Sequence, residues 1–204
     1  MNNKRSQLAS FAKGLTLSLL ALFLTGCTET RKVKFIPSTL PAMAGTDRVP
    51  ASGSLVLNDA FRKYNAETKL IGGKARIPLG EYLCDYATNV ARNVFRETAV
   101  ASSLPTAINT ADAILVPRVV RSDFSVFSAT SQIAVEWTVM DRTGERLVWL
   151  NTFEGQGTEK GGSAFTDKKH RRIRARKVFD DLTLKTLRGF NESPEIKRLG
   201  QQSK

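Results

Sequence analysis

The sequence predicts an α+β fold in which an antiparallel or mixed sheet of four to five strands is covered by two main helices. Three stretches carry this expectation. Ile133, Val135, Trp137 and Val139 alternate with Ala134, Glu136, Thr138 and Met140, and Asp141-Arg142-Thr143-Gly144 then leads to Leu147, Trp149 and Phe153. Strict alternation around a glycine-ended turn reads as an antiparallel hairpin. From Leu83 to Phe95 the apolar residues form one helical stripe, opposite Glu81, Asp85, Arg92, Asn93 and Arg96. A second helix is expected from Ala164 to Phe190, with Phe165, Ile173, Phe179, Leu182, Leu187 and Phe190 at helical spacing and Ser193-Pro194 as its stop.

The chain begins with a basic stretch carrying Lys4, Arg5 and Lys13, followed by an apolar run from Leu15 to Leu24-Thr25-Gly26-Cys27. About ten apolar residues fall well short of the roughly twenty that span a bilayer. The segment therefore reads as a secretion signal over residues 1–26. Its last four residues resemble a bacterial lipobox, cleaved before Cys27, and that resemblance implies lipid on the sulfur and the new amine of Cys27, palmitate among the acyl chains. Two or more acyl chains anchor stably where one binds only marginally.

Residues 28–52, with Pro37, Pro41 and Pro50 among small and polar residues, read as part of a lipid-anchored tether over 27–53. Within it Val33-Lys34-Phe35-Ile36 is either an edge strand or a membrane-surface patch, and Arg31, Lys32 and Lys34 suit anionic head groups. One domain is expected over 54–190, with a polar, frayed tail over 191–204. It opens on a short strand at Ser54-Leu55-Val56-Leu57, a turn at Asn58-Asp59 and a polar stretch to Gly72-Gly73. Ile77-Pro78-Leu79-Gly80-Glu81 is expected to open the helix that follows, with Pro78 near its first turn, where a missing N–H is harmless. Ala113–Val120 is an apolar strand whose Pro117 calls for an edge or a bulge. Phe124, Val126 and Phe127 prolong an alternating pattern between it and the hairpin. The glycines from Gly155 to Gly162 read as a flexible loop, since they lack both the GxGxxG order and a P-loop lysine.

The formal charge is +12. Removing residues 1–26, with three basic residues and no acid, leaves +9, and such a protein seeks anionic partners. Lys168, Lys169, Arg171, Arg172, Arg174, Arg176 and Lys177 crowd one segment of the last helix, with Asp167 as the only acid in that segment. A solvated outer face is the ordinary reading of such a run, and an anion- or partner-docking surface is the functional one. Catalysis is not expected. His170 is the only histidine and stands among cations, with no second ligand type at metal spacing. Ser163 carries no mark of a nucleophile, and Asp180-Asp181 point about 100° apart on a helix. Glu81 and Glu136 have only their presence to suggest a carboxylate pair. With Cys27 lipidated, Cys84 has no disulfide partner and falls on the apolar face with Leu83 and Ala87, as a small core residue.

A lipobox, a proline-containing tether, a Pro-Leu-Gly-Glu helix start, a strand ending near Pro117, a Trp-bearing hairpin and a final helix occur in that order. The chain in this respect resembles small periplasm-facing lipoproteins, namely YajG-like lipoproteins and the auxiliary lipoproteins of envelope ABC transporters. The resemblance implies a non-enzymatic, protein-binding accessory of a transport, secretion or cell-wall complex, without cofactor beyond the covalent lipid. Thr28 stands where inner-membrane lipoproteins of this class carry aspartate, which implies the periplasmic leaflet of the outer membrane. The partners then expected are the outer-membrane bilayer, envelope proteins, and anionic glycolipid or peptidoglycan, with nucleic acid out of reach. A lipid or glycolipid carrier is the alternative, and a peptidoglycan-active enzyme a third.

Overall fold

The computed structural model describes residues 28–30, 48–70, 73–124, 128–159 and 168–202. Residues 1–27, with the lipobox and Cys27, lie outside the described residues, as do the Val33–Ile36 patch, Val126, Phe127, Gly161, Gly162 and Phe165.

The architecture is α+β, built on a mixed five-stranded sheet. Its strands are β2 (Val49–Val56), β5 (Phe95–Ala101), β6 (Ala113–Asp123), β7 (Thr130–Asp141) and β8 (Leu147–Thr158), in the order β5-β2-β6-β7-β8. β2 runs parallel to β5 and β6, while β6, β7 and β8 form an antiparallel meander. A smaller sheet joins β1 (Thr28–Thr30), β4 (Gly73–Pro78) and β3 (Asn65–Leu70), with β3 and β4 forming a hairpin. The helices are α1 (Asp59–Arg62), α2 (Gly80–Val94), α3 (Leu104–Ala107), α4 (Lys168–Glu192) and α5 (Pro194–Gln202).

The β7–β8 hairpin forms where the alternation places it. Ile133, Val135, Trp137 and Val139 are fully buried, and Gly144 closes the turn at φ +74°, a conformation that glycine adopts without a Cβ penalty. Gly144 N–H donates to Asp141 O at 3.0 Å. The apolar stripe of α2 buries Tyr82, Leu83, Tyr86, Ala87, Val90, Ala91 and Val94 against the sheet. Pro78, however, is the last residue of β4 and not part of the helix, which starts at Gly80. A side chain at Gly80 would strike Arg62 O at 1.8 Å, so the turn holds only glycine.

Four other expectations change. β2 begins at Val49 and buries Val49 and Ala51, so the domain starts before residue 54 and takes in the end of the presumed tether. Asn58 is the N-cap of α1, its side chain accepting from Phe61 N–H at 2.9 Å. The polar stretch after it contains the β3–β4 hairpin, in which Ala66, Ala75 and Ile77 are the buried residues among those whose burial is described. The tail is also structured, since α5 buries Ile196 and Leu199 in the main core after a Ser193 cap.

Two further expectations concern proline and glycine, of which the first is met and the second changes. Pro117 lies in β6, an interior strand, yet pairing with β2 covers only Ala113–Leu115. Beyond Leu115 that side of β6 is an edge, and a bulge follows between Val119 and Arg121. Gly155 and Gly157 belong to β8 and not to a loop. α4 crosses them so closely that a Cβ on Gly155 would lie 2.4 Å from Val178 O, and one on Gly157 2.7 Å from Arg174 O.

Between sheet and helices the core is aromatic. Tyr82 stacks on Phe179 at 5.3 Å, Trp137 meets Phe190 edge-on at 5.3 Å, and Trp149 approaches Phe190 at 4.6 Å. Trp137 Nε1–H donates to Tyr86 Oη at 2.6 Å, and Thr186 donates its hydroxyl to Leu182 O. The Tyr86 proton is thereby directed to Thr186 Oγ1, 2.8 Å away, and each of the three side chains in this relay has a partner. Burial pushes the Tyr86 phenol far above its ordinary range.

Candidate functional site

The basic segment of α4 divides by helical direction. Arg174 and Arg176 are 8% and 7% exposed, on the side facing β8 and α2. The Arg174 guanidinium donates to Ser128 O. Arg176 Nη1 donates to Asp85 Oδ2 at 2.9 Å, its Nε lies 2.8 Å from Asp180 Oδ1, and its guanidinium sits 5.8 Å over the Tyr82 ring. Lys177 reaches the Glu159 carboxylate and Thr158 O, and His170 Nδ1 is 3.5 Å from Glu159 Oε1. The Lys177 ammonium, and His170 after it, hold the Glu159 carboxyl below its usual range.

The docking surface expected over Lys168–Lys177 is therefore corrected for two of its members. Arg174 and Arg176 tie the helix to the rest of the domain, because apolar Ala175, Val178 and Phe179 draw that face inward, whereas Lys177 stays exposed beside Glu159. Arg172 is half-buried, while the side chains of Lys168, Lys169 and Arg171 lie outside the described residues.

The weaker candidates are placed as follows. Asp180 engages Arg176, and Asp181 accepts from Gln156 N–H at 2.8 Å and from Lys185 Nζ at 2.7 Å, so each serves as a clamp. Glu136 pairs with Arg118 at 2.8 Å. Trp137 contacts Tyr86 of α2, so by alternation Glu136 points to the opposite face of the sheet from the helix that carries Glu81. The two cannot work as a pair. Cys84 is half-buried, and burial raises its thiol pKa, the opposite of activation. Among the described residues no three His, Cys, Asp or Glu side chains cluster as metal ligands.

A second cationic feature is a surface pocket of about 360 Å³ lined by Arg48, Asn89, Arg92, Asn93, Phe95, Arg96 and Thr98. Three pieces of chain build it. Asn89, Arg92 and Asn93 share one face of the last turns of α2 at three- and four-residue spacing. The helix passes into β5 without a loop, since Phe95 caps it by donating to Ala91 O while already extended at φ −102°, ψ 147°. Phe95 turns into the core, while Arg96 and Thr98 share the other register. The parallel ladder then sets Val49 opposite Phe95 and Gly53 opposite Thr98, which brings Arg48 to the same corner.

Among the described residues no acid lines this pocket. Arg48 Nε and Thr98 Oγ1 are shielded from solvent and lack a hydrogen-bond partner among the described residues. None of Arg48, Arg92 and Arg96 forms an ion pair with a described residue. Buried polar groups are nearly always satisfied, so two orphans in one cationic corner mark it as a place where a ligand oxygen fits. The sequence shows Arg92 and Arg96 as an ordinary solvated helix face and gives no sign that Arg48 joins them. Only the β2–β5 register does that.

No protein-family model matches the chain, and no curated protein matches it in sequence. Solved structures give distant likenesses. A Xanthomonas campestris protein of family DUF330 is 14% identical over 85% of this chain and 98% of its own, with a TM-score of 0.49. A PelC dodecamer from Paraburkholderia phytofirmans is 15% identical over 71% and 95%, with a TM-score of 0.35. A lipoprotein of Neisseria meningitidis is 13% identical over 55% and 87%, with a TM-score of 0.32. At these scores the likenesses add nothing to the chemistry of the pocket.

Proposed function

We propose that this chain is a bacterial lipoprotein, anchored through Cys27 in the periplasmic leaflet of the outer membrane, which acts as a non-enzymatic accessory or structural subunit of an envelope complex. The basic leader and the Leu24–Cys27 lipobox supply the location. One observation favours a subunit over the alternative of a lipid carrier. The space between sheet and helices, where a carrier would hold acyl chains, is filled by Trp137, Tyr82, Tyr86, Phe179 and Phe190, each less than 2% exposed. A domain of this kind works through its surface.

The test is crosslinking in intact envelopes of the source bacterium, with a Cys27→Ser form as control. Lipidated protein fractionating with the outer membrane and captured with a defined set of envelope proteins, lost in the control, is the expected outcome. An unmodified mature terminus, or recovery in the cytosol, would refute the reading.

A further inference from the structure

We propose that the pocket formed by Arg48, Arg92, Arg96 and Thr98 at the end of α2 binds a phosphate group, either of a lipid head group or of a free phosphate ester. The geometry favours this over a carboxylate. Three guanidinium groups arrive from three separate stretches, one ahead of β2, one on α2 and one on β5. A flat carboxylate is satisfied by a single bidentate arginine, whereas a tetrahedral phosphate offers acceptor oxygens in several directions. Arg48 Nε and the Thr98 hydroxyl supply two further donors without other partners. The cavity, about 360 Å³, lies at the lower end of the ordinary range of ligand sites, roughly 300–1,000 Å³, and so has room for the esterified group as well.

The electrostatic balance supports an anion. The C-terminal end of α2 carries about half a negative charge from its dipole, which would repel a phosphate. Three full positive charges outweigh it, and no carboxylate among the described lining residues competes for them. Complementing the helix dipole would account for Arg92 alone. It accounts neither for Arg48, brought in from outside the helix, nor for the unpartnered Thr98 hydroxyl.

This inference does not depend on lipidation or on a protein partner, so it can fail or stand separately from the proposed function. The experiment is calorimetric titration of the full mature chain, kept soluble by Cys27→Ser, with inorganic phosphate, glycerol phosphate and acetate at constant ionic strength. Co-sedimentation with phosphatidylglycerol or phosphatidylcholine vesicles accompanies it. Saturable binding of phosphate or glycerol phosphate is expected, weakened about ten- to a hundredfold in Arg92→Gln and in Arg96→Gln, as for loss of a charge-assisted hydrogen bond. Both arginines are exposed, so their thermal unfolding should match the parent. Thr98→Val should weaken binding several-fold without changing the salt dependence. A preference for phosphatidylglycerol vesicles that the variants lose assigns a head group, while binding of the soluble esters alone assigns a free phosphate. Absence of saturable binding, equal binding by the Arg92→Gln/Arg96→Gln double variant, or acetate binding as tightly as phosphate would overturn the proposal.

Discussion

Arg176 shows how a basic residue that reads as surface becomes part of the interior. Its guanidinium is sealed between α2 and α4, and each of its two carboxylate partners keeps some contact with water, Asp85 at 21% and Asp180 at 26% side-chain exposure. Removing one partner of a fully buried pair typically destabilises by about 3–5 kcal/mol. Partial hydration of the acids lowers that figure, so Arg176→Met should lose about 2 kcal/mol. Urea unfolding checks it. Replacing Asp85 and Asp180 by Asn in the Arg176→Met background should recover part of the loss, because the uncompensated charge is then gone. An unchanged midpoint for Arg176→Met would show that the guanidinium contributes nothing to the α2–α4 contact. Sequence periodicity could not identify this role, because Asp85 is 91 residues away and stands on what reads as the polar face of α2.

The elements that were legible are those whose pattern is both long and one-sided. The β7–β8 hairpin and α2 each bury a full periodic face, so alternation and helical spacing locate them to within a few residues. The β3–β4 hairpin stayed hidden because its described buried positions are two alanines and one isoleucine among charged residues. Gly155 and Gly157 misled for a different reason, since a glycine that frees the backbone and one that admits a neighbouring helix look alike in sequence. The structure separates them. At Gly157 an added methyl would lie 2.7 Å from both Arg174 O and Val178 N, backbone atoms that cannot turn aside. Gly157→Ala should therefore push α4 off the sheet and cost about 1–3 kcal/mol. Denaturant unfolding of this variant measures the effect, and wild-type stability would mean that α4 does not approach β8 this closely. The same reasoning explains the long reach of α4, since only a helix seated against the sheet can bury Val178, Phe179, Leu182 and Phe190 together.

On the scale of the whole molecule, the fold class followed from the sequence while the boundaries and the pocket did not, and both shortfalls have one origin. β2 collects residues from beyond the expected domain start and carries them into parallel register with β5, and parallel pairing leaves no local signature in the chain. The same register buries Val49, seats α5 against β2 through Ile196 and Leu199, and draws Arg48 to Arg92 and Arg96. Among the described residues the main core thus runs from Val49 to Leu199, and the described segment ahead of it adds only the three ladder positions of β1 on β4. Three pairs at the edge of a small sheet contribute on the order of 1 kcal/mol. For a chain of this size 1 kcal/mol moves the melting temperature by about 2–4 °C. A protein starting at Arg48 should therefore melt cooperatively within about 4 °C of the soluble Cys27→Ser form, by circular dichroism at equal concentration. A fall of more than about 10 °C, or a broad transition, would mean that residues ahead of Arg48 belong to the folded core and not to a segment outside it.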